Sequence, residues 1–132
     1  MKKDNKGFSL VELIIVIAIM AVLVGVLAPQ FIKYVEQSRR SRDIQTAQEI
    51  REAVLAAIAD GKITGNQSGV SFSTISASVD TISSEPKTAG NPAGVGQSYN
   101  VTYNGNTGVC EVSVGSYVLT TESGASSYKN AT

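Results

Sequence analysis

The chain has 132 residues and equal numbers of acidic and basic side chains, so its formal net charge is zero. It has no histidine and a single cysteine, Cys110. The usual components of a metal site, of a nucleophile–base pair and of an intramolecular disulfide are therefore missing. We expect a protein that is not an enzyme, with no catalytic residue, no metal and no cofactor, and the length suits one small domain with one membrane element.

The most informative stretch is an apolar run near the N-terminus. Residues 13–28 carry no charge, and Glu12 is the only ionised side chain between residue 8 and residue 28. At about 1.5 Å per residue, a helix of this length spans roughly 30 Å, the thickness of the hydrocarbon core of a bilayer. We therefore predict a single transmembrane helix. Basic residues precede it, which favours a cytoplasmic N-terminus and a C-terminal part that faces outward.

Glu12 is an unusual residue for such a segment. A carboxylate inside a membrane helix costs on the order of 2.5–3.5 kcal/mol on insertion scales, and such residues are often functional. From the residues alone, two explanations stay open. The side chain either lies near the helix end, where it reaches the interface or becomes protonated, or it has a specific role.

The surrounding residues carry a family resemblance. The sequence Lys-Gly-Phe-Ser-Leu-Val-Glu at 6–12, followed by the apolar run and by Pro29, resembles the N-terminus of type IV prepilins and of the related pseudopilins. The resemblance implies that residues 1–7 are a leader, removed after Gly7 by a membrane prepilin peptidase. That peptidase would also methylate the new amine of Phe8.

The same resemblance implies a role for Glu12 in a homopolymer put together by pilus assembly machinery. Cleavage creates a positive amine on Phe8, four residues before Glu12. A buried polar contact can fix the register between apolar helices that otherwise slide past one another. We expect the amine of one subunit to meet Glu12 of its neighbour. Without the leader, eight basic and ten acidic side chains remain, so no nucleic acid partner is expected.

Gly25 and Pro29 mark a weak point in the helix. Pro29 has no N–H to donate to the carbonyl of Gly25, and glycine is itself a poor helix former by about 1 kcal/mol relative to alanine. The pair predicts either a kink or local melting. The pilin resemblance favours melting in the assembled filament, although Ala21 stands where many type IVa pilins have another glycine.

Beyond Pro29 the helix is predicted to continue to Ala59 with one apolar stripe and one charged face. The stripe contains Ile32, Val35, Ile44, Ala47, Ile50, Val54 and Ile58. The charged face is predicted to contain Lys33, Glu36, Arg39, Arg40, Arg42, Asp43, Glu49, Arg51 and Glu52. Asp60-Gly61 is a suitable stop, because glycine readily adopts the left-handed conformation of a helix cap.

The remaining chain is rich in Ser, Thr, Gly and Asn. Residues 68–75 are a possible strand or loop, and residues 80–97 an irregular connection. Three short strands with two hairpin turns are predicted at residues 99–103, 109–114 and 117–121. The fold class is therefore α+β, with one long N-terminal helix, half transmembrane and half amphipathic, packed against a small antiparallel sheet.

These elements predict a leader at 1–7, a transmembrane and filament-core helix at 8–29, an amphipathic helix at 30–60, and a loop and sheet region at 61–132. The resemblance implies a structural subunit of an extracellular type IV pilus used in adhesion or motility, held by membrane lipid before assembly. A pseudopilin of type II secretion or DNA uptake is the alternative. A membrane-anchored binding domain is more remote.

Overall fold

The computed structural model describes residues 7–79, 82 and 85–131. The helices and strands in these residues are α1 (Leu10–Ala59), β1 (Asn66–Ser71), α2 (Phe72–Ile75), β2 (Asn100–Asn104), β3 (Val109–Val114), β4 (Tyr117–Val118) and α3 (Glu122–Asn130). The chain divides into two compact units. The first unit ends at Val35, and the second begins at Glu36. Of the predicted leader, only Gly7 lies within the described residues.

In the first unit, α1 is apolar and exposed on all sides. Its large side chains keep about half or more of their surface accessible, from 48% at Leu13 to 74% at Leu10. Among the described residues, α1 alone is long and apolar enough to cross a membrane, judged by length and composition. A helix that is apolar all round needs an apolar environment, because no polar face is left for water.

The end of α1 is capped as predicted. Gly61 has a φ of 75°, the left-handed region that suits glycine. The N–H of Gly61 donates to the carbonyl of Ile58 (3.1 Å), and that of Lys62 donates to the carbonyl of Ala57 (2.9 Å). This is a Schellman motif, which satisfies carbonyls that the helix end leaves without partners.

The second unit contains a four-stranded antiparallel sheet in the order β1-β2-β3-β4. Val101 pairs with Val112 and Tyr103 with Cys110 between β2 and β3. Because successive side chains point to opposite faces of a strand, these residues share one face, and all of them are buried. The turn after Val114 has Gly115 first, with a φ of 57°, as the glycine-first hairpin requires.

The C-terminal half of α1 covers the buried face of this sheet. Its buried apolar residues belong to one hydrophobic core together with those of β2 and β3; they are Ala47, Ile50, Ala53, Val54 and Ala57. Ile44 and Ile58 pack against this core, whereas Ile32 is exposed. The predicted α+β arrangement of a long helix and a small antiparallel sheet is confirmed.

Three local predictions differ from the structure. Residues 68–75, predicted as a possible strand or loop, divide between the edge strand β1 (Asn66–Ser71) and the helix α2 (Phe72–Ile75), and the last predicted strand ends at Val118 rather than at Thr121. The following residues form α3, which the sequence analysis did not predict; its N-cap Thr121 accepts a hydrogen bond from the N–H of Gly124 (3.2 Å). Finally, Arg40 and Asp43, assigned above to the charged outer face, are buried, with 8% and 1% of their surface exposed.

Candidate functional site

Glu12 lies in the first turn of α1 and takes part in its N-terminal cap. The N–H of Ser9 donates to Oε2 of Glu12 (3.3 Å), and the N–H of Glu12 donates to the hydroxyl Oγ of Ser9 (3.2 Å). This reciprocal pair is a capping box, which satisfies two backbone donors at the start of the helix. The Ser-x-x-Glu spacing of residues 9–12 is a sequence signature of this cap, a role that neither explanation offered for Glu12 from the sequence included.

The predicted cleavage point lies immediately before this cap. Phe8 is 78% exposed, and no heavy atom lies within 4 Å of the position that a Cβ on Gly7 would occupy. The preceding basic residue, Lys6, lies outside the described residues. The structure therefore places Gly7, Phe8 and Glu12 at the open start of α1.

Gly25 and Pro29, the predicted weak point, both lie inside α1, which continues through them. A Cβ on Gly25 would meet nothing within 4 Å, so packing does not require glycine at this position. Melting at this point in a filament stays a prediction.

A second set of functional groups surrounds the buried carboxylate of Asp43. The backbone N–H of Ala89 donates to its Oδ1 and that of Gly90 to its Oδ2, both at 2.7 Å. The hydroxyl of Tyr128 donates to Oδ2 at 2.5 Å, and that of Tyr99 lies 3.4 Å from Oδ1. A buried carboxylate is tolerated when donors surround it in this way. Asp43 thus joins α1 to the loop at 89–90 and to α3.

The space around this carboxylate is filled. A Cβ on Gly90 would lie 2.8 Å from Oδ2 of Asp43 and 3.0 Å from the hydroxyl of Tyr128. Glycine at position 90 therefore permits the close approach of the loop backbone to the carboxylate.

One turn earlier on α1, Arg40 holds the C-terminal segment. Its Nε donates to Oε1 of Glu36 (2.9 Å), and its Nη1 donates to the carbonyls of Lys129 (3.0 Å) and Ala131 (2.5 Å). The N–H of Asn91 also donates to Glu36 (2.6 Å). Burial acts to raise the pKa of Glu36, but the bonds from Arg40 and Asn91 outweigh it, so the pKa is lowered.

The two tyrosines at Asp43 are held in their neutral form. Burial raises the pKa of Tyr99 and of Tyr128 well above the usual value, and the adjacent Asp43 carboxylate raises both further. A tyrosinate at either position would face a like charge without access to water. Both hydroxyls therefore act as hydrogen-bond donors at ordinary pH.

Cys110 is a core residue. Only 2% of its surface is exposed, and burial raises the pKa of its thiol to about 11. A buried thiol that stays protonated is unreactive and packs as a small hydrophobic side chain.

Comparison with known proteins gives matches to part of the chain. Residues 2–28 match the family described as "Prokaryotic N-terminal methylation motif". The chain is 38% identical over 65 residues to "Type IV major fimbrial protein FimA" of Dichelobacter nodosus, covering 49% of this chain and 42% of that protein. It is 35% identical over 60 residues to "Fimbrial protein" of Pseudomonas aeruginosa, covering 46% of this chain and 39% of that protein.

The chain therefore spans about two fifths of the length of these curated relatives. No solved structure matches it. The chain carries the prokaryotic N-terminal methylation motif and is similar to type IV fimbrial proteins, which confirms the resemblance seen in residues 6–12.

Proposed function

We propose that the chain is a structural subunit, not an enzyme, that polymerises through the N-terminal part of α1 into an extracellular type IV pilus. The observation that carries this proposal is an apolar helical surface of membrane length, exposed on all sides, with a single capped carboxylate at its start. The methylation motif and the fimbrial relatives support the same conclusion.

The physical requirement is that this apolar surface be covered. Exposed apolar area costs about 25 cal/mol per Å² relative to an apolar environment, so a surface of this size does not remain in water. Lipid covers it before assembly, and the helices of other copies cover it in the filament. Exchange of lipid for helix changes apolar contact little, so polar groups must supply the specificity.

Removal of the leader creates the polar group that pairs with Glu12, the N-terminal amine of Phe8. Cleavage after Gly7 by a prepilin peptidase leaves Phe8 as the N-terminus, which is then methylated at its amine. The N-terminus lies on the cytoplasmic side before assembly and the second unit outside, because the basic leader stays with the cytoplasm. The assembly machinery then moves the subunit from the membrane into the filament.

Glu12 then selects the axial position of an incoming subunit. Among the described residues of the single chain, its carboxylate accepts only the N–H of Ser9, which leaves acceptor capacity for a further donor. In the filament the amine of Phe8 from a neighbouring copy meets this carboxylate. A charge left without its partner in the apolar core costs roughly 3–5 kcal/mol, so only the matching register is stable.

The proposal is tested by substitutions at Glu12. For each variant, the amount of protein in surface filaments is compared with the amount of monomer that stays in the membrane. Glu12→Ala is expected to insert in the membrane normally but to form few or no filaments. Glu12→Gln is expected to be intermediate, since it accepts a hydrogen bond without charge. Wild-type filament yield from Glu12→Ala would overturn the proposed role.

Ser9→Ala is the matched control. It removes the hydroxyl of the capping box at a cost of about 1 kcal/mol in helix stability, but it keeps the carboxylate. If Ser9→Ala lowers yield as much as Glu12→Ala, the helix cap rather than the charge determines assembly.

A further inference from the structure

On the outer side of α1 in the second unit, one stripe of residues is covered by nothing in the described chain. Its members are all exposed and recur at alternating three- and four-residue spacing; they are Ser38, Arg42, Gln45, Glu49, Glu52 and Ala56. We name this set the outer stripe. A seven-residue repeat of this kind presents one continuous face of a helix, opposite the core.

Charges of both signs are separated along the outer stripe. Arg42 lies at its N-terminal end and Glu49 two turns further on, about 10.5 Å along the axis. This separation is too long for the two side chains to pair within one helix. Among the described residues, the side chains of Arg42, Glu49 and Glu52 make no hydrogen bond or ion pair, whereas the side chain of Arg40 on the covered side is bonded to Glu36.

The acidic end of the outer stripe borders a groove. Glu49 and Glu52 line a groove together with Ala53, Ala56 and Ile82. Two carboxylates beside three apolar side chains suit a long side chain with an aliphatic stem and a cationic head. Arginine fits this description, since its stem packs on apolar surface while its guanidinium binds carboxylates.

We propose that Arg42 of one copy of this chain docks into the Glu49–Glu52 groove of the next copy. The proposal rests on the proposed function, because it names a contact of the same polymer. A copy displaced by about 10.5 Å along the helix axis brings Arg42 level with Glu49 of its neighbour. An anionic lipid surface or a nucleic acid would be repelled by the acidic end, whereas a second copy satisfies both ends.

The contact is heterologous, since the basic end of one copy meets the acidic end of another. A docked pair therefore keeps one free acidic end, on the copy that supplied Arg42, and one free basic end, on the copy that supplied the groove. Such a contact extends into an open chain rather than closing as a dimer. This is the behaviour that a filament subunit requires.

A charge exchange tests the contact in the full-length protein on cells. Arg42→Glu and Glu49→Arg are each expected to lower filament yield about fivefold or more, because repulsion replaces attraction. The double exchange is expected to restore yield to within about threefold of the wild type, as paired residues do not behave additively. The matched control is Lys129→Glu, which makes the same charge change on an exposed residue outside the stripe and is expected to leave yield unchanged. No rescue by the double exchange would overturn the pairing.

A cross-linking experiment separates this proposal from the proposed function. A chain with both Ser38→Cys and Gln45→Cys is treated with a short bis-maleimide and is expected to give a ladder of dimers, trimers and longer products. These two exposed positions of the outer stripe are also seven residues apart, and their substitution leaves Arg42, Glu49 and Glu52 in place. The wild type is the unreactive control, because Cys110 is buried. Dimers from Ser38→Cys alone would overturn the heterologous contact. Filaments without a ladder would overturn the docking face but leave the pilin assignment standing, whereas neither filaments nor ladder would overturn both.

Discussion

The buried carboxylate of Asp43 offers the sharpest test of how the second unit is held together. In Asp43→Asn the shape is kept, but one oxygen becomes an NH₂ group. Whichever way the amide is turned, that group faces the N–H of Ala89 or that of Gly90, each of which now donates to the carboxylate at 2.7 Å. One buried donor is therefore left without an acceptor.

The magnitude follows from these contacts. An unsatisfied buried donor costs about 1–3 kcal/mol, and the remaining bonds lose their charge-assisted strength. We expect Asp43→Asn to lower the free energy of unfolding by about 2–4 kcal/mol, a large fraction of the 5–15 kcal/mol typical of a domain. Glu52→Gln makes the same chemical change at an exposed position of α1 and is expected to cost no more than about 0.5 kcal/mol.

The assay is urea unfolding of a fragment that starts at Phe31, followed by circular dichroism and extrapolated linearly to water. Tyr128→Phe is measured alone and together with Asp43→Asn. Tyr128→Phe removes the hydrogen bond between Tyr128 and Asp43, and Asp43→Asn removes the charge that strengthens this bond. The double variant is therefore expected to be less destabilised than the sum by about 1–2 kcal/mol. Additive effects, or an Asp43→Asn cost as small as that of Glu52→Gln, would refute the reasoning.

Intact-mass measurement of filament protein is expected to show the loss of residues 1–7 and the gain of one methyl group, and retention of the leader would contradict cleavage after Gly7. The fragment that starts at Phe31 is expected to be soluble, monomeric and cooperative on melting, and aggregation would place the boundary elsewhere. The stability of this fragment is expected to fall as the pH rises above about 10. Above that pH the tyrosines of the unfolded chain lose their protons, whereas the raised pKa values keep Tyr99 and Tyr128 protonated in the folded fragment, so the rise in pH favours unfolding. Tyr128→Phe should flatten this alkaline dependence, and an unchanged curve would exclude Tyr128 as its source.

The long helix and its stop could be predicted because each depends on neighbouring residues. The uninterrupted apolar run and the three- and four-residue spacing of Ala47, Ile50 and Val54 are local patterns with one simple structural explanation. The same holds for Gly61 at the helix end and for the hairpin around Gly115, where backbone conformation requires glycine. The resemblance in residues 6–12 also depended only on local sequence.

The C-terminal helix α3 could not be predicted in this way. Its sequence contains serine, glycine and asparagine, which are weak helix formers, so the local preference is low. Packing decides its conformation: Tyr128 is buried, and its ring lies edge-on to that of Tyr117 with centroids 5.4 Å apart. Arg40 from α1 binds the carbonyls at its end.

The amino-acid sequence by itself determined that this chain has an exposed apolar helix of membrane length, a carboxylate at its start and an α+β second unit. These features follow from composition, periodicity and backbone preferences, which act over a few residues. Only the tertiary structure decided which charges are buried. Arg40 and Asp43 look like surface residues on a helical wheel, but loop and C-terminal groups distant in sequence supply their partners, and only those partners make burial of the two charges possible.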